Sequence, residues 1–236
     1  MINREKMTIK TKKEISYYVN TLTSNRLQAV YETAPARIRR YLNAEVEFVL
    51  SKIKPGDIIL ELGCGYGRVL KSLADKAGLA VGIDISWDTL LYAVRKTKVS
   101  KYIGFSAMDA AFLGIKNKSV DVVICIQNGI SALHVDPKIL IAESFRVLAP
   151  GGRLLFSSYS ENFWEERLNW FRLQADMGLI GKIDEKRSRD GKIVCEDGFT
   201  ATTFSSEDFI FLFSEFNKIP ELTEVDRSSL FCEVWS

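Results

Sequence analysis

Residues 58–68 read IILELGCGYGR: a short run with the look of a buried strand, an acid within it at Glu61, then glycines at positions 63, 65 and 67. Glycine weakens helix and strand alike, so glycines at every second position mark a turn whose backbone something approaches closely. A strand that runs into such a turn and then into a helix confines the chain to α/β architectures, where ligands bind at the carboxyl ends of the strands. The spacing also departs from the G-x-G-x-x-G of dinucleotide loops.

The chain from residue 57 onward repeats this logic, short apolar runs alternating with longer amphipathic ones, as in a parallel sheet flanked by helices. Strands are expected at 58–62, 80–84, 102–105, 120–126 and 153–157, and the runs at 120 and 153 are nearly continuous, as in strands covered on both faces. Val69, Leu70 and Leu73 share a helical face, with Gly78 placed to end that helix. In DPKILIAESFRVLAPGG, Asp136 can cap and Pro137 fits the first helical position, while Ile141, Phe145 and Leu148 recur at helical spacing before Pro150-Gly151-Gly152. Ser205-Ser206-Glu207-Asp208 opens a last helix, followed by strands at 221–225 and 230–234. The few residues between those strands allow antiparallel pairing and exclude a parallel crossover.

Two parts lie outside the alternation. Residues 14–54 are expected to be helical, with Ile38, Tyr41, Leu42, Val46 and Val49 or Leu50 on one stripe. Residues 161–204 hold an aromatic segment, NFWEERLNWFRL, and a hairpin, KIVCEDGFTATTF, turning at Asp197-Gly198. The chain is read as one domain over 1–236, with an N-terminal helical cap at about 1–50 and a cap insertion at about 161–204.

With 32 basic and 30 acidic side chains, the net charge of +2 gives no electrostatic reason to expect a nucleic-acid partner. The cysteines, Cys64, Cys125, Cys195 and Cys232, form no C-x-x-C pair and have no histidine cluster near them, so neither a metal site nor a disulfide framework is expected. No apolar run reaches the ~18 residues of a membrane span, and the start, MINREKMTIKTKKE, lacks the apolar centre of a signal peptide. The expectation is a cytoplasmic protein, monomer or homodimer, acting on a small molecule away from membranes.

The second strand ends in Asp84, where a carboxylate can accept from both hydroxyls of a ribose, and the third is followed by Met108-Asp109-Ala110. Either acid alone could equally be a helix cap. Taken in order, ILELGCGYGR, VGIDIS, SAMDAAFLGIKNKSVDVVIC and RVLAPGGRLLFSSY resemble the successive motifs of class I S-adenosylmethionine-dependent methyltransferases. FSSEDFIFLFSEFN and SSLFCEVWS resemble that family's ending. The resemblance is confined to about 53–160 and the last helix and strands.

That resemblance implies a Rossmann-like, doubly wound α/β sheet of seven strands in the order 3-2-1-4-5-7-6, strand 7 antiparallel, with helices on both faces. It implies S-adenosylmethionine as cofactor and S-adenosylhomocysteine as product. Glu61, Gly63 and Gly65 would then hold the methionine portion, with Glu61 near its ammonium. Asp84 would hold the ribose, Ile85 would pack on the adenine beside Met108, and Asp109 and Ala110 would meet the adenine edge. Gln127 and Asn128 would flank the transferred methyl.

A methyl group already activated on a sulfonium needs alignment and shielding from water rather than a protein nucleophile. His134, the chain's one histidine, follows the fourth strand and is read either as a base or acceptor-orienting residue, with Asn128, or as a loop residue. The acceptor pocket is expected from the two parts outside the motifs: Tyr17, Tyr18 and Tyr31, with Phe163, Trp164, Trp170 and Phe171. Arg26 and Arg37 are read as partners for a substrate carboxylate or as plain surface residues. Transfer to O, N or S of a compact molecule is the leading reading. A nicotinamide-dependent oxidoreductase, disfavoured by the glycine spacing and Asp109, and a non-catalytic binding module are the alternatives.

Overall fold

The structure, a computed structural model, describes residues 17, 21–97 and 101–236. The apolar runs become strands β1 (Ile58–Leu62), β2 (Leu79–Asp84), β3 (Ile103–Ala107), β4 (Val120–Cys125) and β5 (Leu148–Tyr159). The insertion contributes a small separate hairpin, β6 (Lys192–Val194) with β7 (Thr200–Thr202), before β8 (Glu221–Val225) and β9 (Ser229–Trp235). Leaving the hairpin aside, one seven-stranded sheet runs β3-β2-β1-β4-β5-β9-β8, with β9 antiparallel to both neighbours. Counted along the chain without the hairpin, this is the order 3-2-1-4-5-7-6.

The helices among the described residues are α1 (Ser24–Glu32), α2 (Ala36–Lys52), α3 (Arg68–Leu73), α4 (Trp87–Lys96), α5 (Gly129–Ala132), α6 (Pro137–Val147), α7 (Trp164–Asp176) and α8 (Ser206–Ser214). Their ends follow local chemistry. Asp136 accepts from Lys138 N, with Pro137 at the first turn of α6, and Ser205 and Asp208 exchange the reciprocal bonds of a capping box. The helical region expected over 14–54 is interrupted instead, because Pro35 disfavours helical backbone at Ala34, and α2 restarts after it. α3 stops well short of Gly78. That glycine is needed for another reason, since a Cβ there would stand 2.4 Å from the Gly56 carbonyl oxygen.

Side chains alternate across the sheet, as a two-residue period requires. Leu60, Leu62, Val123, Leu154 and Phe156 pack with α6 and α8, while Ile59, Val122, Ile124 and Leu155 pack with α2, α3 and α4. A third apolar cluster joins the N-terminal helices to the insertion, through Val30, Ile38, Tyr41 and Leu42 on one side and Phe163, Trp170, Phe171 and Phe199 on the other. The cap therefore has a core of its own.

Charged groups fasten that cap to the sheet. Arg26 donates to the carbonyls of Gly178 and Leu179, and Arg37 and Arg40 pair with Asp226. Asp226 and Arg227, at φ 53° and 52°, form the left-handed turn between β8 and β9 that Ser228 N closes on Val225 O. Arg167 is fully buried in α7 and donates to the carbonyls of Gly191 and Ala201 and to Thr203, holding the hairpin against the helix. Arg26 and Arg37 are thus structural ties rather than partners for a substrate carboxylate. No helix among the described residues is long and apolar enough to cross a membrane.

Candidate active site

At the carboxyl edge of the sheet, β1, β2, β3 and β4 end around one cavity, roofed by α1, α5, α7 and the hairpin. The glycine turn forms its floor. Gly63 adopts φ 72°, a left-handed conformation that disfavours any side chain, and a Cβ there would also lie 2.9 Å from Leu133 Cδ2 of the α5 turn. Gly67, at φ 79°, faces the Phe105 ring in the same way.

Glu61 ends its strand buried, and its Oε2 has no hydrogen-bond partner among the described residues. Burial pushes its carboxyl up to about 8, with Arg68 opposing and Asp84 adding to the shift. Arg68 stands just past the glycines, its guanidinium 4.9 Å from the Tyr31 ring centroid, and its Nη2 also lacks a hydrogen-bond partner among the described residues. A buried carboxyl and a half-buried guanidinium, each with a buried polar atom left open, line one cavity.

Asp84 accepts from Gly65 N at 3.0 Å and Ser86 N at 2.8 Å, which ties the second strand to the glycine turn. Burial raises its carboxyl against those bonds. Ile85 is 45% exposed toward the cavity, an apolar face without a packed neighbour. Asp109 accepts from Ala111 N at 2.8 Å, so it does serve as a local cap, and Met108, Asp109 and Ala110 all line the cavity.

β4 leads into two consecutive left-handed residues, Gln127 at φ 57° and Asn128 at φ 60°. Neither is glycine, so each costs ~1–3 kcal/mol and needs to be held. Gln127 N donates to Glu45 Oε2 at 2.7 Å and to Ser157 Oγ at 2.9 Å, and Asn128 Oδ1 accepts from Ser158 Oγ at 2.8 Å. Glu45, fully buried on α2, also accepts from Ser229 Oγ at 2.6 Å, and burial pushes its carboxyl up to about 7. His134, itself at φ 51°, lines the cavity at the end of the α5 turn.

The structure thus brings together Glu61, Gly63, Gly65, Asp84, Ile85, Met108, Asp109, Ala110, Gln127, Asn128, His134 and Tyr31. It does not bring in Tyr17, whose hydroxyl donates to Asp197 at 2.7 Å and whose ring packs 5.1 Å from Phe199, fastening the cap from outside. Trp164 faces a separate cleft with Arg167 and Ser188. Tyr18 lies outside the described residues. Glu45, Arg68 and Gln174 were not anticipated. Arg68 was visible directly after the glycines, and Glu45 as an acid on the apolar stripe of α2. All four cysteines are buried, and burial pushes the thiols of Cys64 and Cys125 up, away from reactive thiolate.

Residues 59–152 match the methyltransferase domain family. An uncharacterized protein of Methanocaldococcus jannaschii is 34% identical over 155 residues, covering 66% of this chain and 53% of that protein. The 2-methyl-6-phytyl-1,4-hydroquinone methyltransferase of Synechocystis is 29% identical over 150 residues, 56% of this chain and 46% of the relative. The chain therefore spans about half the length of the curated relatives it matches. Among solved structures, magnesium protoporphyrin IX methyltransferase from Synechocystis with bound S-adenosylhomocysteine superposes with a TM-score of 0.62 at 18% identity, over 95% of this chain and 99% of that one. With the strand order and the glycine turn in place, residues 59–152 form a methyltransferase domain of the class I S-adenosylmethionine-dependent type.

Proposed function

We propose that the protein transfers the methyl group of S-adenosylmethionine to an oxygen, nitrogen or sulfur of a small molecule held under the cap. The observation that carries this reading is the pair Glu61 and Arg68, which line one cavity with the buried atoms Oε2 and Nη2 left open. Unsatisfied buried polar atoms are costly, and an amino-acid zwitterion is a ligand that answers both, its ammonium drawing Glu61 to the carboxylate form and its carboxylate on Arg68. The cofactor supplies an activated methyl on a sulfonium when bound.

The chain's own residues supply position and dryness. Asp84 already accepts one bond on each oxygen, and the remaining lone pairs suit the two hydroxyls of a ribose. Ile85 offers an apolar face to the adenine, with Asp109 and the Ala110 backbone at its edge. Gln127 and Asn128, held by Glu45, Ser157 and Ser158, fix the wall nearest the reacting centre. His134, which lines the cavity, would take a proton from a hydroxyl or ammonium acceptor.

The family match sets the nicotinamide reading aside. Titration calorimetry with S-adenosylhomocysteine should show binding in the wild type and its loss in Glu61→Gln and Arg68→Met. Absence of binding by the wild type would end this reading. Incubation with labelled S-adenosylmethionine and a metabolite extract should transfer label to a small molecule; binding without any turnover would favour the non-catalytic module.

A further inference from the structure

One wall of the cavity is made by α7. Trp170 and Gln174 stand one helical turn apart on it, 4% and 3% exposed, and both line the cavity. Trp170 Nε1 and Gln174 Nε2 have no hydrogen-bond partner among the described residues. A buried donor left open costs stability, so two on one face of one helix mark a place where a ligand's acceptor atom completes the bonding. The surroundings are aromatic: Phe171 lies edge-on to Trp170 at 5.9 Å, Phe199 is 5.7 Å from Phe171, and Tyr31 is 6.4 Å from Trp170.

Charge decides what kind of acceptor atom fits. The cap's arginines at this wall are engaged, Arg26 with the Gly178 and Leu179 carbonyls and Arg167 with those of Gly191 and Ala201. Arg68 stacks on Tyr31, whose ring is 6.4 Å from Trp170, but it is assigned above to the cofactor's carboxylate. With Arg68 committed to the cofactor, a carboxylate or phosphate brought to Trp170 and Gln174 would be buried with no further arginine or lysine among the described lining residues to pair with it. We infer that this wall recognises the methyl acceptor, and that the acceptor is an apolar, ring-containing molecule presenting a neutral carbonyl oxygen to Trp170 Nε1 and Gln174 Nε2. The inference rests on the methyltransferase reading and gives it a substrate class.

The test uses the full chain labelled with nitrogen-15 in its tryptophan indoles, which number four; Trp170→Phe assigns the Trp170 signal. Acetophenone, ethylbenzene and benzoate are titrated with and without saturating S-adenosylhomocysteine. Acetophenone should move the Trp170 indole signal downfield and bind at least fivefold more tightly than ethylbenzene or benzoate. Gln174→Leu and Trp170→Phe should each weaken acetophenone about fivefold, the size of one hydrogen bond, while leaving S-adenosylhomocysteine affinity unchanged. Equal binding of ethylbenzene, a preference for benzoate, or no Trp170 response would overturn the inference. If S-adenosylhomocysteine fails to bind, the methyltransferase reading falls, and the titrations without it still decide this one.

Discussion

Replacing Glu61 with Gln should stabilise the ligand-free protein while removing its affinity for S-adenosylhomocysteine. Burial drives the carboxyl from 4.5 up to about 8 in the folded chain, against the pull of Arg68. In the unfolded chain it titrates near its ordinary value, so between these two pH values the folded protein holds a proton that the unfolded chain has released. Raising the pH therefore favours unfolding; the loss begins near pH 4.5, grows to about pH 8 and is constant above it. At ~1.4 kcal/mol per pH unit, the penalty reaches roughly 3 kcal/mol at pH 7. In a domain of this size that is a melting difference of roughly 6–12 °C. Thermal unfolding of wild type and Glu61→Gln at pH 5, 6, 7 and 8 without ligand should show the variant's advantage small at pH 5 and widening toward pH 8. The difference between the two proteins isolates Glu61 from Glu45, which titrates nearby in the same direction. Added S-adenosylhomocysteine should raise the wild-type melting temperature alone. A pH-independent difference, or a wild type that gains on the variant as pH rises, would mean that Glu61 is ionised and paired, and the zwitterion socket would be refuted.

Glu45→Ala removes the acceptor of both Gln127 N and Ser229 Oγ; it should cost ~2–3 kcal/mol in urea unfolding and weaken S-adenosylhomocysteine in calorimetry, because the left-handed corner at Gln127 and Asn128 loses a support. Arg167→Met removes one donor each from the Gly191 and Ala201 carbonyls and from Thr203, and should cost ~3 kcal/mol, read by urea unfolding and by faster amide exchange across β6 and β7. Gly82→Ala places a Cβ 2.4 Å from Leu70 and 2.6 Å from Cys64, and should lower stability by ~1–3 kcal/mol in thermal unfolding, with cofactor affinity falling as the turn above it shifts.

The parallel core was legible because strands buried on both faces read as apolar runs, and the direction of β9 because a connection of a few residues cannot cross a sheet. The cofactor side was legible for a related reason: Glu61, Asp84 and Asp109 each sit at or just past a strand's carboxyl end, so their order in sequence is their order along the sheet edge. The cap was harder. A helix turns about 100° per residue, so Trp164 and Trp170 stand far apart around α7 and cannot both face the cavity; which one does is set by packing against α1 and α2. Tyr17 finds Asp197 across 180 positions of sequence, and Glu45 finds Gln127 across 82 and Ser229 across 184. No local pattern encodes such pairings, although an acid on an apolar stripe does signal that a distant partner exists.

The bonds that converge on Glu45 also set where the protein can be cut and recombined. α2, the end of β4, Ser157 on β5 and Ser229 at the start of β9 meet around one carboxyl group, so a foreign α2 with an apolar residue at that position would leave Ser229 Oγ without its acceptor and Gln127 N with Ser157 alone. α1 and the 161–204 insertion carry no share of that junction. They are the segments that can be replaced to fit a new acceptor without opening it, while positions 45, 127, 157 and 229 have to be changed together.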